Sequence, residues 1–191
     1  MRAGKREIEV AKSILNVTCE SPLSREEQGR LGDSNFLLFK VSETAATLYG
    51  KEHEREALLK LGEVLGLTIL EAKKFVPPAQ RWLVCIPDGL VEEEEDSIVE
   101  VKCPYKCQDK TFEALAETDQ NFCLKLGEGG GLELDQAHDY YYQVQGMLNM
   151  MDRQTCYFAV WSPTQFHYQV IHQDKQFWEN IILPKLLEFY R

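Results

Sequence analysis

The sequence predicts an α/β domain, a mixed central sheet flanked by helices. Three observations carry that prediction. The segment 82–86, "WLVCI", is apolar without alternation, as expected of a central strand buried on both faces. Residues 49–65, "YGKEHEREALLKLGEVL", place Ala57, Leu58, Leu61 and Leu65 on one face of a helix and Glu52, Glu56 and Glu63 on the other. Strand-like and helix-like segments also alternate along the chain, the order from which mixed sheets with packed helices are built.

The elements follow in order. The opening "MRAGKREIEVAKSILNV" lacks an apolar stretch ahead of a cleavage site, which speaks against secretion, and reads as an amphipathic helix over about 5–16. A long helix is expected over 42–65, then strands over 67–75, 82–88 and 97–103. A short helix is expected near 110–117 and a long one over 135–152. Strands over 155–161 and 166–172 and a closing helix over 174–190 complete the chain. Pro77–Pro78, the acidic run Glu92–Asp96 and "GEGGG" at 127–131 mark turns. There is no internal repeat, and 191 residues with 44% hydrophobic content suit a single domain spanning 1–191.

Composition narrows the function. No stretch approaches the roughly 20 apolar residues that cross a bilayer, so no membrane partner is expected. Six cysteines in a chain this long do not suggest a disulfide scaffold, and an intracellular protein of cytoplasm or nucleus is the plainer reading. Cys103 and Cys107 form a C-x3-C pair, but no second pair stands at zinc-finger spacing. A net charge of −10 argues against a basic coat for non-specific nucleic-acid binding. A polyanion partner would have to be held by a few placed groups, or by metal ions lying between two sets of negative charge.

Three polar intrusions into apolar segments carry the chemistry. In "SIVEVKC" (97–103), Val99 and Val101 share one face of a strand and Glu100 and Lys102 the other. A hairpin through the acidic loop brings Asp88 close to Glu100, so two carboxylates and a lysine converge at the sheet's edge. A cross-strand salt bridge worth about 0.2–1 kcal/mol would explain the pair equally well. Glu54 is the second intrusion, at the centre of the apolar stripe of its helix. A lone carboxylate there is costly unless paired or metal-bound, and it either reaches Lys102 or a cap or completes a cage of oxygen ligands. The third is Gln143 in "DYYYQVQGMLNMMDR" (139–153), which shares a face with Met147 and Met150 while Gln145 points elsewhere. A satisfied amide at a helix–sheet contact is the competing reading. The four histidines are scattered and read as packing or surface residues, and Trp178, Leu186 and Phe189 as core.

In order and spacing, these segments resemble the PD-(D/E)XK nucleases, more narrowly their YqaJ and lambda-exonuclease branch, the viral-recombinase type. The matching pieces are "YGKEHEREAL", "IPDGLV", "VEVKCP", "YYYQVQGML" and "DKQFWENIILPKLLEFY". The resemblance implies a restriction-endonuclease-like core. It implies Glu54, Asp88 and Glu100 as acidic metal ligands, helped by the main-chain carbonyl of Val101. Lys102 would orient or activate the attacking water, Gln143 would buttress the lysine or the water, and Tyr140 would be structural. A lysine close to metal ions would lose its proton more easily than a free one. "RLGDSNF" (30–36) resembles a segment of the family that holds a terminal phosphate. Arg30 and Ser34 match, whereas Gly32 and Asp33 depart by losing a hydroxyl and adding a negative charge.

The implied cofactor is Mg2+, with Mn2+ able to substitute. The implied substrate is linear duplex DNA with free ends, digested 5′ to 3′ to leave single-stranded tails for recombination or processing of viral or mobile-element DNA. A recombination or single-strand-annealing partner and a trimeric ring of this chain are implied by the same resemblance. A catalytically silent DNA-end-binding or assembly module on this fold and a restriction-type endonuclease are the alternatives.

Overall fold

The computed structural model describes residues 44–190. The helix expected over 5–16 and the candidate phosphate contacts Arg30 and Ser34 lie outside the described residues. Helix α1 (Ala45–Leu65) begins at Thr44, which forms a reciprocal capping box with Thr47. It stops at Gly66, whose φ of 67° is a left-handed conformation that favours glycine.

Strands β1 (Ile69–Leu70), β2 (Gly89–Val91) and β3 (Ser97–Lys102) follow. After a 3-10 turn at Tyr105–Cys107 come helix α2 (Phe112–Thr118) and a small hairpin, β4 (Leu124–Leu126) and β5 (Leu132–Leu134). Helix α3 (Asp139–Met151) leads into β6 (Thr155–Trp161) and β7 (Phe166–His172). The closing segment is helical throughout but changes pitch. It runs as α4 (Lys175–Phe177), a π-helical turn (Trp178–Ile182) and α5 (Leu183–Tyr190).

The main sheet has the order β1-β2-β3-β6-β7, with β3 parallel to β6 and every other pair antiparallel. This is the mixed sheet flanked by helices that the sequence predicts. Ala57 and Leu61 of α1 pack with Val91, Val99, Val101 and Ala159 on one face. Val144, Met147 and Leu148 of α3 pack with Ile98, Cys156, Phe158 and Val160 on the other, where Phe112, Trp178, Ile182 and Leu186 extend the core. The alternation of "SIVEVK" between two helical layers fixes its register, because a slip of one residue would exchange the two sets.

Several boundaries differ from expectation. The apolar run 82–86 is not a strand. Leu83, Val84 and Cys85 are buried, yet the segment contributes only an isolated bridge from Cys85 to Phe75. Pro87 has no N–H for a ladder, and the strand that pairs with β3 starts two residues later, at Gly89. The expected strand 67–75 shortens to Ile69–Leu70. A side chain at Gly89 would strike Ile69 Cγ2 at 2.5 Å, so glycine there permits β1 to approach β2. The hairpin β4–β5 was not anticipated from sequence, although "GEGGG" forms its turn through Gly127 N–H to Gly131 carbonyl. The acidic loop is also more than solvated surface. Glu93 accepts from Thr68 N–H and Oγ1, and Glu94 accepts from Ser97 Oγ and Tyr157 Oη, pinning the hairpin to its neighbours.

Candidate active site

Strand β3 is the middle strand of the sheet, not an edge, and its Glu100 and Lys102 project together towards α3. Pairing with β6 sets Glu100 beside Phe158 and Lys102 beside Val160, so both charged groups rise among apolar neighbours. Glu100 is fully buried, at 0% exposure. Lys102 Nζ donates to Glu100 Oε1 at 2.5 Å, and Gln143 Nε2 donates to the same oxygen at 2.7 Å. Among the described residues, the second oxygen, Glu100 Oε2, is buried without a hydrogen-bond donor, and the Asp88 carboxyl is the group near enough to share a proton with Glu100. An orphaned carboxylate oxygen inside a core is costly unless a cation or proton answers it.

Asp88 enters from the loop before β2. Its N–H donates to the Val99 carbonyl and its Oδ2 accepts from Val101 N–H at 2.8 Å. Val101 thus meets the cluster through its amide. The carboxyls of Asp88 and Glu100 are close enough for a proton shared between them to affect both.

Glu54 comes from the opposite side of the sheet. It lies half-buried on α1, the helix that covers the Val99–Val101 face. Burial raises its pKa, the charge of Asp88 raises it further and Lys102 pulls it down, so its coupling to the cluster is through charge. Glu52, Glu56 and Glu63 are exposed, as the helical pattern predicts. Among the described residues, no three His, Cys, Asp or Glu side chains stand together as a metal-holding group. The structure therefore brings Asp88, Glu100, Lys102 and Gln143 into one bonded cluster and leaves Glu54 at its margin.

The electrostatics follow from crowding of acids in a dry place. Burial first, then the charge of Asp88, push the Glu100 carboxyl up to about 8, against the pull of Lys102. Asp88 is also held above the usual carboxylate range by burial, which outweighs Lys102 and the Val101 N–H. For Lys102, burial favours the neutral form, but Glu100 and Asp88 more than offset it and hold the ammonium above its ordinary value. That is opposite to the loss of proton expected beside metal ions. In this conformation Lys102 answers part of the negative charge through its ion pair with Glu100.

The donor set nevertheless suits a hard divalent cation. It consists of carboxylate oxygens with no histidine or thiolate among them, and among the described residues one oxygen lacks a hydrogen-bond donor. The cysteines belong elsewhere. Cys85, Cys103, Cys107, Cys123 and Cys156 are buried free thiols, and burial pushes the Cys103 thiol up to about 12.

Two features escaped the sequence reading. Tyr140, expected to be structural, places its ring 4.6 Å from Lys102 Nζ, a cation–π contact that the sequence reading did not anticipate. Its position three residues before Gln143, on the same face of α3, is the sequence signal. Gln145 does point away from the cluster, but it is itself fully buried, donating to the His172 carbonyl and accepting from Asp174 N–H. The histidines keep packing roles. His53 stacks on Trp161 at a centroid distance of 5.0 Å, and His138 caps α3 by accepting from Tyr140 N–H.

The structure resembles an alkaline exonuclease from Laribacter hongkongensis, LHK-Exo. The match has 19% identity and a TM-score of 0.61, covering 94% of this chain and 84% of that one. The crystal structure of LHK-Exo in complex with dAMP matches with a TM-score of 0.62 at 20% identity, over 95% of this chain and 83% of that one. A phage-related exonuclease from Haemophilus somnus 129PT matches with a TM-score of 0.57 at 13% identity, over 95% of this chain and 92% of that one. At these identities the likeness is one of fold. No curated protein matches the chain. The model of the YqaJ-like viral recombinase domain matches residues 8–154, which include α1, the Asp88 loop, β3 and α3. The chain belongs to the YqaJ-like viral recombinase domain family.

Proposed function

We propose that this protein is a metal-dependent deoxyribonuclease that hydrolyses duplex DNA from an end, running 5′ to 3′ and leaving single-stranded tails. The observation that carries the reading is Glu100, a carboxylate at 0% exposure with one oxygen lacking a hydrogen-bond donor among the described residues, set against Asp88 and Lys102. A fold that only binds DNA gains nothing from holding such a group. Membership of the family and the likeness in fold to exonucleases of known structure support it further.

Asp88 and Glu100 would hold Mg2+, or Mn2+ in its place, with Glu54 and the Val101 carbonyl as the remaining ligands. When bound, the cation neutralises phosphate charge and lowers the pKa of water at the site. The chain's own residues do the rest. Gln143 fixes Glu100 by donating to Oε1, so the carboxylate presents its other oxygen outward from that contact. Lys102 orients the attacking water as an ammonium, or takes up its proton once its own has been lost to solvent. As the ammonium that the metal-free cluster favours, it donates to a phosphate oxygen. Water adds at phosphorus and gives up a proton to solvent or to Lys102 in its neutral form, the P–O bond to the departing sugar breaks, and the departing oxygen takes up a proton from solvent. Arg30 and Ser34 are the proposed contacts of the terminal phosphate.

Incubating end-labelled linear duplex and a covalently closed circle with the protein and Mg2+ tests this reading. Loss of the linear duplex with survival of the circle is expected. Cutting of the circle would establish a restriction-type endonuclease, and retention of DNA without cleavage a silent binding module. Recombination partners and a trimeric ring of the chain belong to the same proposal. Light scattering of the purified protein, with and without duplex, measures the latter.

A further inference from the structure

Helix α3 reaches the cluster with two side chains, three residues apart and hence on one face. Gln143 grips the carboxylate. Tyr140 lies against the ammonium, with Lys102 Nζ 4.6 Å from the ring centroid. The two grips fall on different members of the ion pair, Gln143 on Glu100 and Tyr140 on Lys102. Glu100 Oε1 takes both the Gln143 and the Lys102 donors, so among the described residues the lysine's hydrogen-bonded anchor is the carboxylate proposed to serve the cation. Once that charge is engaged elsewhere, a flexible four-carbon stem would be left without a fixed direction.

The ring is well placed to supply one. Its backbone is fixed by the helix cap, where Tyr140 N–H donates to His138 Nδ1 at 3.1 Å. Its ring packs on His138 at 4.5 Å and approaches Phe158 of β6 at 6.4 Å, between centroids. Lys102 is 14% exposed, so the contact is largely desolvated, the setting in which a cation above an aromatic face counts most.

We propose that Tyr140 is a positioning residue. Its aromatic face, not its hydroxyl, fixes the direction of the Lys102 ammonium, and would go on doing so if Glu100 were engaged by a cation. The proposal rests on the nuclease reading for its consequence, but the contact can be measured without catalysis.

Two measurements on the full chain test it. In protein labelled with 13C-lysine, the ε-methylene protons of Lys102, assigned by their loss in Lys102→Ala, should be displaced upfield by the ring. The displacement should persist in Tyr140→Phe and vanish in Tyr140→Leu. With linear duplex and Mn2+, Tyr140→Phe should retain kcat within about twofold, and Tyr140→Leu should lose about tenfold in kcat with KM little changed. Should Tyr140→Leu fail to fold, Tyr140→Met removes the ring while leaving a flexible apolar side chain of similar reach, and the same outcomes apply to it.

A Lys102 resonance insensitive to loss of the ring would overturn the proposal, as would full kcat in the ringless variant. So would a Phe variant as impaired as the Leu variant. A wild-type protein that cleaves no DNA while its Lys102 resonance still reports the ring would refute the nuclease reading instead. The contact would then stand as a structural cation–π pair.

Discussion

Glu54, Asp88 and Glu100 all hold their protons above the ordinary carboxylate range, and each for the same first reason, burial. For an acid whose pKa is raised on folding, the folded state keeps a proton that the unfolded chain has released. Stability from that source is present below the unfolded value and declines as pH rises towards the folded one. For Glu100 the window runs from an ordinary 4.5 to about 8. The metal-free protein should therefore lose thermal stability between about pH 5 and pH 8.5, by about 2–4 °C for each kcal/mol in a chain of this size. Mn2+ needs the same carboxylates ionised, so the rise in Tm that it causes should grow with pH over that window. Melting curves at several pH values, with Mn2+ and with chelator, measure both slopes. A Tm shift that Mn2+ produces equally at pH 5.5 and pH 8.5 would deny these acids a part in holding the cation. Single substitutions divide the labour further. Asp88→Asn and Lys102→Ala should each abolish cleavage of linear duplex and leave the melting cooperative, whereas Glu54→Ala, on the apolar stripe of α1, should affect activity and stability together. At this scale the sequence was readable because a charged or amide group inside an apolar pattern is expensive. Glu100, Lys102, Glu54 and Gln143 each announce themselves that way. Tyr140 did not, because an aromatic on the core side of a helix breaks no rule, and only the fold brings it over Lys102.

Helix α3 carries the same residue type into two different surroundings. Gln143 and Gln145 are both buried glutamines, two positions apart, and so face different ways. Gln143 meets the acid cluster, while Gln145 ties the helix to the end of β7 and the start of α4. Gln145→Ala leaves the His172 carbonyl and the Asp174 N–H without their partner, each costing about 1–3 kcal/mol if it stays buried. That variant should melt several degrees lower while retaining most of its kcat. Gln143→Ala should show the reverse, a fall in kcat of at least about tenfold with a smaller change in Tm. Comparable losses of both properties in both variants would erase the distinction. Element boundaries were legible where periodicity was long, as in α1, β6 and β7. They were not where burial came without pairing. "WLVCI" is as apolar as a central strand, yet it runs as an interior loop because Pro87 interrupts the ladder and β2 begins beyond it. The hairpin β4–β5 was missed for the opposite reason. Its strands are three residues each, too short to show alternation around a glycine-rich turn.

For the whole molecule, the governing fact is charge: 31 acidic residues against 21 basic ones, a net −10. A protein that gathers DNA with a basic surface releases counterions for every phosphate it neutralises, and its affinity collapses with salt. This chain has little scope for that mode, and three of those 31 acids belong to the proposed active centre. Divalent cations between those acids and the phosphate backbone reverse the sign of the local field without changing the surface around it. Binding should then depend steeply on the cation and weakly on monovalent salt. With Ca2+ replacing Mg2+ to hold DNA without turnover, log Kd against log[KCl] should have a slope equivalent to only about 2–4 phosphates, at about 0.9 per phosphate. Chelation should weaken binding by at least about tenfold at every salt concentration, and Asp88→Asn should make the protein indifferent to Ca2+. A slope equivalent to eight or more phosphates, unaltered by chelator, would mean that a basic surface carries the DNA. The acids at Glu54, Asp88 and Glu100 would then have to be explained without it.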